Sequence, residues 1–98
     1  MQVHTEAVQF KADRKLINFI ERKLNKIEQL YDRIIDARVV LKLENSGQVK
    51  DKIAEVRLYL PGDTLIAKES NKTFEASIDS ATSSLKRQLI KYKNRIKK

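Results

Sequence analysis

The sequence contains no cysteine, two glycines and a single proline. The absence of cysteine excludes a disulfide framework, cysteine-based zinc sites and thiol catalysis, and it fits a reducing compartment. The scarcity of glycine and proline excludes a low-complexity linker. The first ten residues lack a basic segment followed by an apolar one, and no run of about 20 apolar residues occurs anywhere. We therefore expect a cytoplasmic protein that is neither exported nor inserted into a membrane.

Residues suited to catalysis are equally scarce. His4 is the only histidine and lies in a predicted strand, and the serines at 80, 83 and 84 have no general base in a recognisable pattern nearby. The carboxylates do not cluster at metal-ligand spacing, and both glycines stand in turns without a phosphate-binding loop around them. We expect no enzyme activity, no metal, no cofactor and no small-molecule substrate.

Positive charge is abundant and is concentrated at one end of the chain. The 98 residues include 21 lysines and arginines against 13 acidic residues, which gives a net charge of +8. Residues 86–98 contain seven of these cations and no acid, so the rest of the chain is almost neutral. Such a concentration of charge attracts polyanions and therefore indicates a class of partner. A tail that serves only solubility is the alternative.

Hydrophobic periodicity predicts six elements in the order β-α-β-β-β-α. Spacings of three and four after the N-cap Asp13 predict a helix to near Leu30, and the same spacings after the cap Thr73 predict a second helix that projects past the sheet. Alternating apolar residues predict strands over 2–6 or beyond, 35–44, 54–60 and 64–70. Residues 45–48 and 61–63 are predicted to form the turns between the last three strands.

The same patterns identify the side chains that face the core. Period two places five residues of the second strand on its inner face: Ile35, Ala37, Val39, Leu41 and Leu43. The stripe of the last helix extends to Ile96, and Leu30 widens the stripe of the first helix. Because alternate strand positions are polar, one face of the sheet is wet and both helices cover the other. We predict one two-layer α+β domain over residues 1–98, with a four-stranded mixed sheet whose first two strands are parallel.

Helical spacing arranges the cations of the last helix in two lines beside its buried stripe. One line holds Arg87, Lys91, Arg95 and Lys98, and the other holds Lys86, Lys93 and Lys97. Lys23 and Lys26 extend the basic surface on the first helix, although acids share that helix. Like charges at this spacing repel one another, so the arrangement favours contact with phosphates. A membrane-surface helix is the alternative, and the continued apolar stripe argues against it.

The open face of the sheet lacks the set of aromatic residues that RNA-reading sheets use, since Tyr59 is the only aromatic predicted there. We therefore take the helical face as the binding surface. Recognition is expected to run through phosphates, ribose and RNA shape.

Two stretches resemble the ribosome hibernation promoting factor and ribosome-associated inhibitor family in its short form. The first contains Lys23, Lys26, Ile27, Glu28, Tyr31 and Asp32, and the second contains Ala76, Ile78, Asp79, Leu85, Arg87, Gln88, Leu89, Lys91 and Lys93. The resemblance covers nearly the whole chain. Glu75 and Ser84 depart from it, because the family usually has an aromatic residue and a lysine at these positions.

The resemblance implies a fold similar to double-stranded RNA-binding domains and a factor that binds the small (30S) ribosomal subunit near the decoding centre. Such a factor occupies the mRNA channel and the A and P tRNA sites, and inhibits translation during starvation or stationary phase. The implied contacts to 16S ribosomal RNA are Lys23, Lys26, Lys86, Arg87, Lys91, Lys93, Arg95 and Lys97. The short form implies a monomer without the C-terminal dimerisation domain of long members. A general double-stranded RNA-binding module is the alternative function.

Overall fold

The computed structural model describes residues 1–46 and 49–96. Its elements are β1 (Gln2–Ala7), α1 (Arg14–Glu28), β2 (Asp36–Ser46), β3 (Val49–Leu60), β4 (Asp63–Asn71) and α2 (Phe74–Ile96). The predicted order β-α-β-β-β-α is confirmed. The α+β class is confirmed as well, because the four strands form one sheet that packs against both helices.

Both helices begin at the predicted cap residues. The Asp13 carboxylate accepts a hydrogen bond from the backbone N–H of Leu16 at 2.8 Å. The Thr73 hydroxyl accepts one from the backbone N–H of Ala76 at 3.0 Å. Each cap satisfies an N–H group that has no partner inside its own helix, and this fixes where the helix starts.

The strands lie in the sheet in sequence order, β1-β2-β3-β4. β1 pairs with β2 in parallel, since α1 provides the crossover between them, and the other two pairs are antiparallel. Pro61 and Gly62 connect β3 to β4, and the positive φ of Gly62 (78°) suits the third position of a type II turn.

The hairpin between β2 and β3 is longer than predicted. Asn45 and Ser46, which we expected in a turn, belong to β2, and β3 begins at Val49 rather than at Ala54. The reason is that the ladder of pairs continues as far as Ser46 opposite Val49. The other two residues of the predicted turn, Gly47 and Gln48, lie outside the described residues.

The core lies between the helices and one face of the sheet. It contains the alternating positions of the strands and the apolar stripes of both helices, among them Ile20, Leu24, Val39, Val56, Leu58, Ile78, Leu85 and Leu89. A buried polar contact ties the layers together, because the Ser77 hydroxyl of α2 donates to the backbone carbonyl of Lys52 in β3 at 2.6 Å. Because side chains of both helices belong to the same core, their packing sets the position of one helix relative to the other.

Four apolar side chains predicted to face the core are instead exposed at its margins. Ile35, Leu43 and Ile96 are half exposed, and Leu30 is 38% exposed. Ile35 precedes β2 and Leu30 follows the end of α1 at Glu28, so neither lies within a covered element. Ile96 is one turn beyond Tyr92, whose hydroxyl donates to the carbonyl of Pro61 at the end of the sheet. The last turn of α2 therefore projects past the sheet, as predicted.

Two isoleucines of α2 provide a matched test of this packing. Ile78 is fully buried and Ile90 is 51% exposed on the same helix. Replacing Ile78 with Ala should lower the free energy of unfolding by about 2–5 kcal/mol, because it removes buried methyl groups and leaves a cavity. Ile90→Ala should change it by less than about 0.5 kcal/mol. Urea denaturation followed by circular dichroism measures both, and equal losses would contradict the placement of α2.

Candidate nucleic-acid interface

The two helices lie side by side and run in the same direction. At their beginnings, Phe10 and Phe74 stack with ring centroids 5.0 Å apart. At their ends, Tyr31 and Tyr92 meet edge to face at 5.7 Å. The surface seam between the two helices, which we call the cleft, therefore runs from the Phe10–Phe74 contact at one end to the Tyr31–Tyr92 contact at the other.

Two contacts bridge this cleft. The Lys23 ammonium of α1 pairs with the Asp79 carboxylate of α2 at 2.6 Å. Closer to the ends of the helices, the Lys93 ammonium of α2 donates to the backbone carbonyl of Leu30 at 2.7 Å. Each of these lysines therefore reaches from one helix towards the other.

Lys26 and Lys86 stand between these two bridges. Lys26 follows Lys23 by three residues, and Lys86 precedes Lys93 by seven, so each shares a helix face with a lysine that spans the cleft. Lys26 is exposed and Lys86 is half-buried, and no carboxylate of a described residue forms an ion pair with either. We call Lys23, Lys26, Lys86 and Lys93 the interhelical lysines.

The charge of the interhelical lysines is only partly neutralised. Asp79 compensates Lys23, whereas the carbonyl that holds Lys93 is neutral and leaves its positive charge in place. The Asp79 carboxyl is 54% exposed, so its ion pair is screened by water and is worth at most about 1 kcal/mol. A polyanion can therefore compete with Asp79 for Lys23.

The second line of cations lies on the opposite flank of α2, towards β4. There Arg95 approaches the Asp63 carboxylate at 3.4 Å with a side chain that remains 70% exposed. Arg87 lines an open recess of about 370 Å³ with Glu69, Asp79, Ser80 and Ser83. Lys91 is exposed, whereas Lys97 lies outside the described residues. The seven predicted contact residues that the structure describes thus occupy both flanks of α2 and one flank of α1.

The open face of the sheet has a different electrostatic character. Its outward positions alternate acids and bases: Glu6, Asp36, Arg38, Lys42, Glu55, Arg57 and Lys68. The Glu55 carboxylate accepts a hydrogen bond from Arg57 at 3.0 Å and raises the pKa of that guanidinium. Because the charges on this face nearly cancel, the helical face is the better surface for a polyanion.

Sequence spacing did not reveal two features of the site. The partner of Lys23 comes from a distant part of the chain, and no local pattern identifies Asp79 as that partner. Phe19 also lines the cleft, next to Lys15 and Arg22. The sequence did contain a signal for the position of Phe19, because it lies beside the apolar stripe and is followed by Arg22 and Lys23 three and four positions later.

Other chemistry is not evident in the part of the chain that the structure describes. There, no three His, Cys, Asp or Glu side chains come close enough to hold a metal ion. No helix within residues 1–46 and 49–96 has the length and apolar character needed to cross a membrane.

Comparison with known proteins gives concordant matches over nearly the whole chain. The model of the family described as sigma 54 modulation protein / S30EA ribosomal protein matches residues 3–97. A ribosome hibernation promoting factor of Azotobacter vinelandii is 32% identical over 95 residues, which cover 97% of this chain and 85% of that protein. One of Klebsiella oxytoca is 35% identical over 80 residues, which cover 82% of this chain and 80% of that protein.

A solved structure has the same fold. A ribosomal subunit interface protein of Coxiella burnetii superposes with a TM-score of 0.86 at 23% identity, and the superposition covers 96% of this chain and 99% of that one. At this identity the likeness concerns the fold alone.

The Lys23–Asp79 pair can be tested with two variants that raise the net charge equally. Asp79→Asn should increase the affinity for a short duplex RNA roughly threefold and steepen its salt dependence by about one unit of slope, because Lys23 is released. Glu21→Gln adds the same charge on the far side of α1, since residues two apart point in opposite directions on a helix. Fluorescence anisotropy titrations at several salt concentrations measure both. An equal gain in both variants would show that only net charge matters.

Proposed function

Because the chain belongs to the sigma 54 modulation protein / S30EA ribosomal protein family, we propose that it is a ribosome hibernation factor. The observation that carries this proposal is the line of interhelical lysines, which lies in a cleft between two rigidly packed helices. The names of its relatives, ribosome hibernation promoting factors, support the same role.

The factor binds the small ribosomal subunit near the decoding centre. There it occupies the mRNA channel and the A and P tRNA sites, and it acts in the cytoplasm during stationary phase or stress. Inhibition results from occupancy, since a bound domain of this size excludes mRNA and tRNA from the same space. No catalytic step and no cofactor is part of this mechanism.

The contacts to 16S ribosomal RNA come from the two helices. They are Lys23, Lys26, Lys86, Arg87, Lys91, Lys93, Arg95 and Lys97. The cleft from Glu75 to Lys93 is about 27 Å long at the rise of an α-helix, so it can follow several successive phosphates. Of the contacts that the structure describes, Lys23 and Arg95 must each leave a carboxylate before they bind, whereas Lys26 and Lys86 need not.

The rigid packing of the helices gives this surface selectivity for folded RNA. The helices that carry the interhelical lysines are held together by the core, and the two bridging contacts hold the side chains of Lys23 and Lys93. Cations on two packed helices lose less entropy on binding than cations on a flexible chain, and they fit phosphates that are held at matching positions in an assembled subunit.

Neutralising the two unpaired interhelical lysines tests the location of the contact. Lys26→Ala combined with Lys86→Ala should weaken binding to purified small subunits roughly tenfold and lower the salt slope by about two. The matched control is Lys42→Ala with Lys68→Ala, which removes the same charge from the open face of the sheet. Filter binding at several salt concentrations measures both pairs. A control pair that is as defective as the helical pair would contradict the assignment.

Competition and selectivity test the function itself. The wild-type protein should co-sediment with small subunits, and mRNA together with initiator tRNA should displace it. At fixed salt it should bind small subunits much more tightly than isolated duplex RNA. Equal affinity for both would favour the general double-stranded RNA-binding module. Binding that mRNA and tRNA leave unchanged would place the protein elsewhere on the subunit.

A further inference from the structure

Phe19 is an aromatic side chain at the edge of the core, where one side of it remains accessible. It lies on the flank of α1 that faces α2 and is only partly buried against the core. Two cations approach its ring: the Arg22 guanidinium carbon is 5.5 Å from the ring centroid, and the Lys23 ammonium is 5.4 Å from it. The attraction between these cations and the ring keeps the Arg22 and Lys23 side chains against the Phe19 ring at the start of the cleft.

A recess of about 290 Å³ opens beside this ring. It is lined by Lys15, Asn18, Phe19, Arg22 and Glu75. The ring and the guanidinium provide flat surfaces for stacking, Lys15 provides positive charge, and Asn18 and Glu75 provide hydrogen-bonding groups. This combination differs from that of the interhelical lysines, which offer only cations.

The carboxylate of Glu75 distinguishes among the anions and bases that such a recess can accept. A bare phosphate gains nothing from the ring and is repelled by Glu75. A nucleobase stacks on the ring or on the guanidinium plane, and its amino or imino edge donates to a carboxylate. The phosphate attached to the same nucleotide then lies within reach of the lysines.

We infer that this recess binds one unpaired nucleobase of ribosomal RNA, stacked on the layer formed by Phe19 and Arg22. The inference rests on the proposed function and deepens it, since it adds a base contact to a surface otherwise built for phosphates. The base must be unpaired, because both faces of a base inside a duplex are already stacked. Arg22 is the cation that meets the base, since its planar guanidinium lines the recess and Lys23 does not.

Phe19 variants separate stacking from charge. Phe19→Leu keeps an apolar side chain against the core and removes the aromatic plane. It should weaken binding to small subunits roughly tenfold and leave the salt slope unchanged, because no charge is lost. Phe19→Tyr keeps the plane and should bind as the wild type does. Thermal denaturation establishes that both variants are folded.

A tryptophan probe reports the stacking directly and does not depend on the behaviour of the leucine variant. The chain contains no tryptophan, so Phe19→Trp introduces a single fluorophore in the recess. Small subunits should quench its emission, whereas a duplex RNA without unpaired nucleotides should not. Ile66→Trp is the control, since Ile66 is 47% exposed on the open face of the sheet and should report little quenching by subunits.

The outcomes that overturn the inference differ from those that overturn the proposed function. Wild-type affinity of Phe19→Leu, or an unquenched tryptophan at position 19 in a protein that binds subunits, would overturn the base contact alone. Equal quenching by free nucleoside monophosphates would assign the recess to a small nucleotide and would also overturn it. Failure of the wild-type protein to bind small subunits would overturn the proposed function, and the inference with it.

Discussion

The two helices present one basic surface only because they lie side by side, in the same direction, on a single face of the sheet. This packing brings Lys23 of α1 into contact with α2 and Lys93 of α2 into contact with the end of α1, although the two helices lie far apart in the sequence. It depends on the apolar stripes of both helices, on the caps Asp13 and Thr73 that set where each helix begins, and on the buried contact from Ser77 to β3. Without this packing, the cations of α1 and the cations of α2 would form two separate surfaces.

The same packing explains how a stable domain holds so many like charges. Repulsion among the interhelical lysines amounts to tenths of a kcal/mol for each pair at the surface, which is small beside the burial of the stripes beneath them. The Asp79 carboxylate relieves part of it by pairing with Lys23, and Asp63 similarly pairs with Arg95 on the other flank of α2, both through exposed ion pairs of low strength. Because these pairs are weak, they stabilise the free protein slightly and yield readily to phosphates.

Much of the fold could be predicted from the sequence, because the order of elements depends on local periodicity and on two strong cap residues. The exposure of side chains at the margins of the core could not be predicted. Ile35, Leu43 and Leu30 are exposed because the helices do not extend over them, and the extent of that cover depends on tertiary packing. In the site, spacing alone placed the cations in two lines on α2. The partner of Lys23 and the position of Phe19 beside Glu75 required the structure, since both depend on how α1 and α2 meet.

The central claim is that the helical face, and not the open sheet, contacts ribosomal RNA. Directed hydroxyl-radical cleavage tests it most directly, because the chain contains no cysteine and a single Lys86→Cys or Lys68→Cys change provides one attachment site for an iron chelate. The chelate at position 86 should cleave small-subunit RNA strongly at a few neighbouring sites, whereas the chelate at position 68 should cleave it weakly. Stronger cleavage from position 68 than from position 86 would contradict the account.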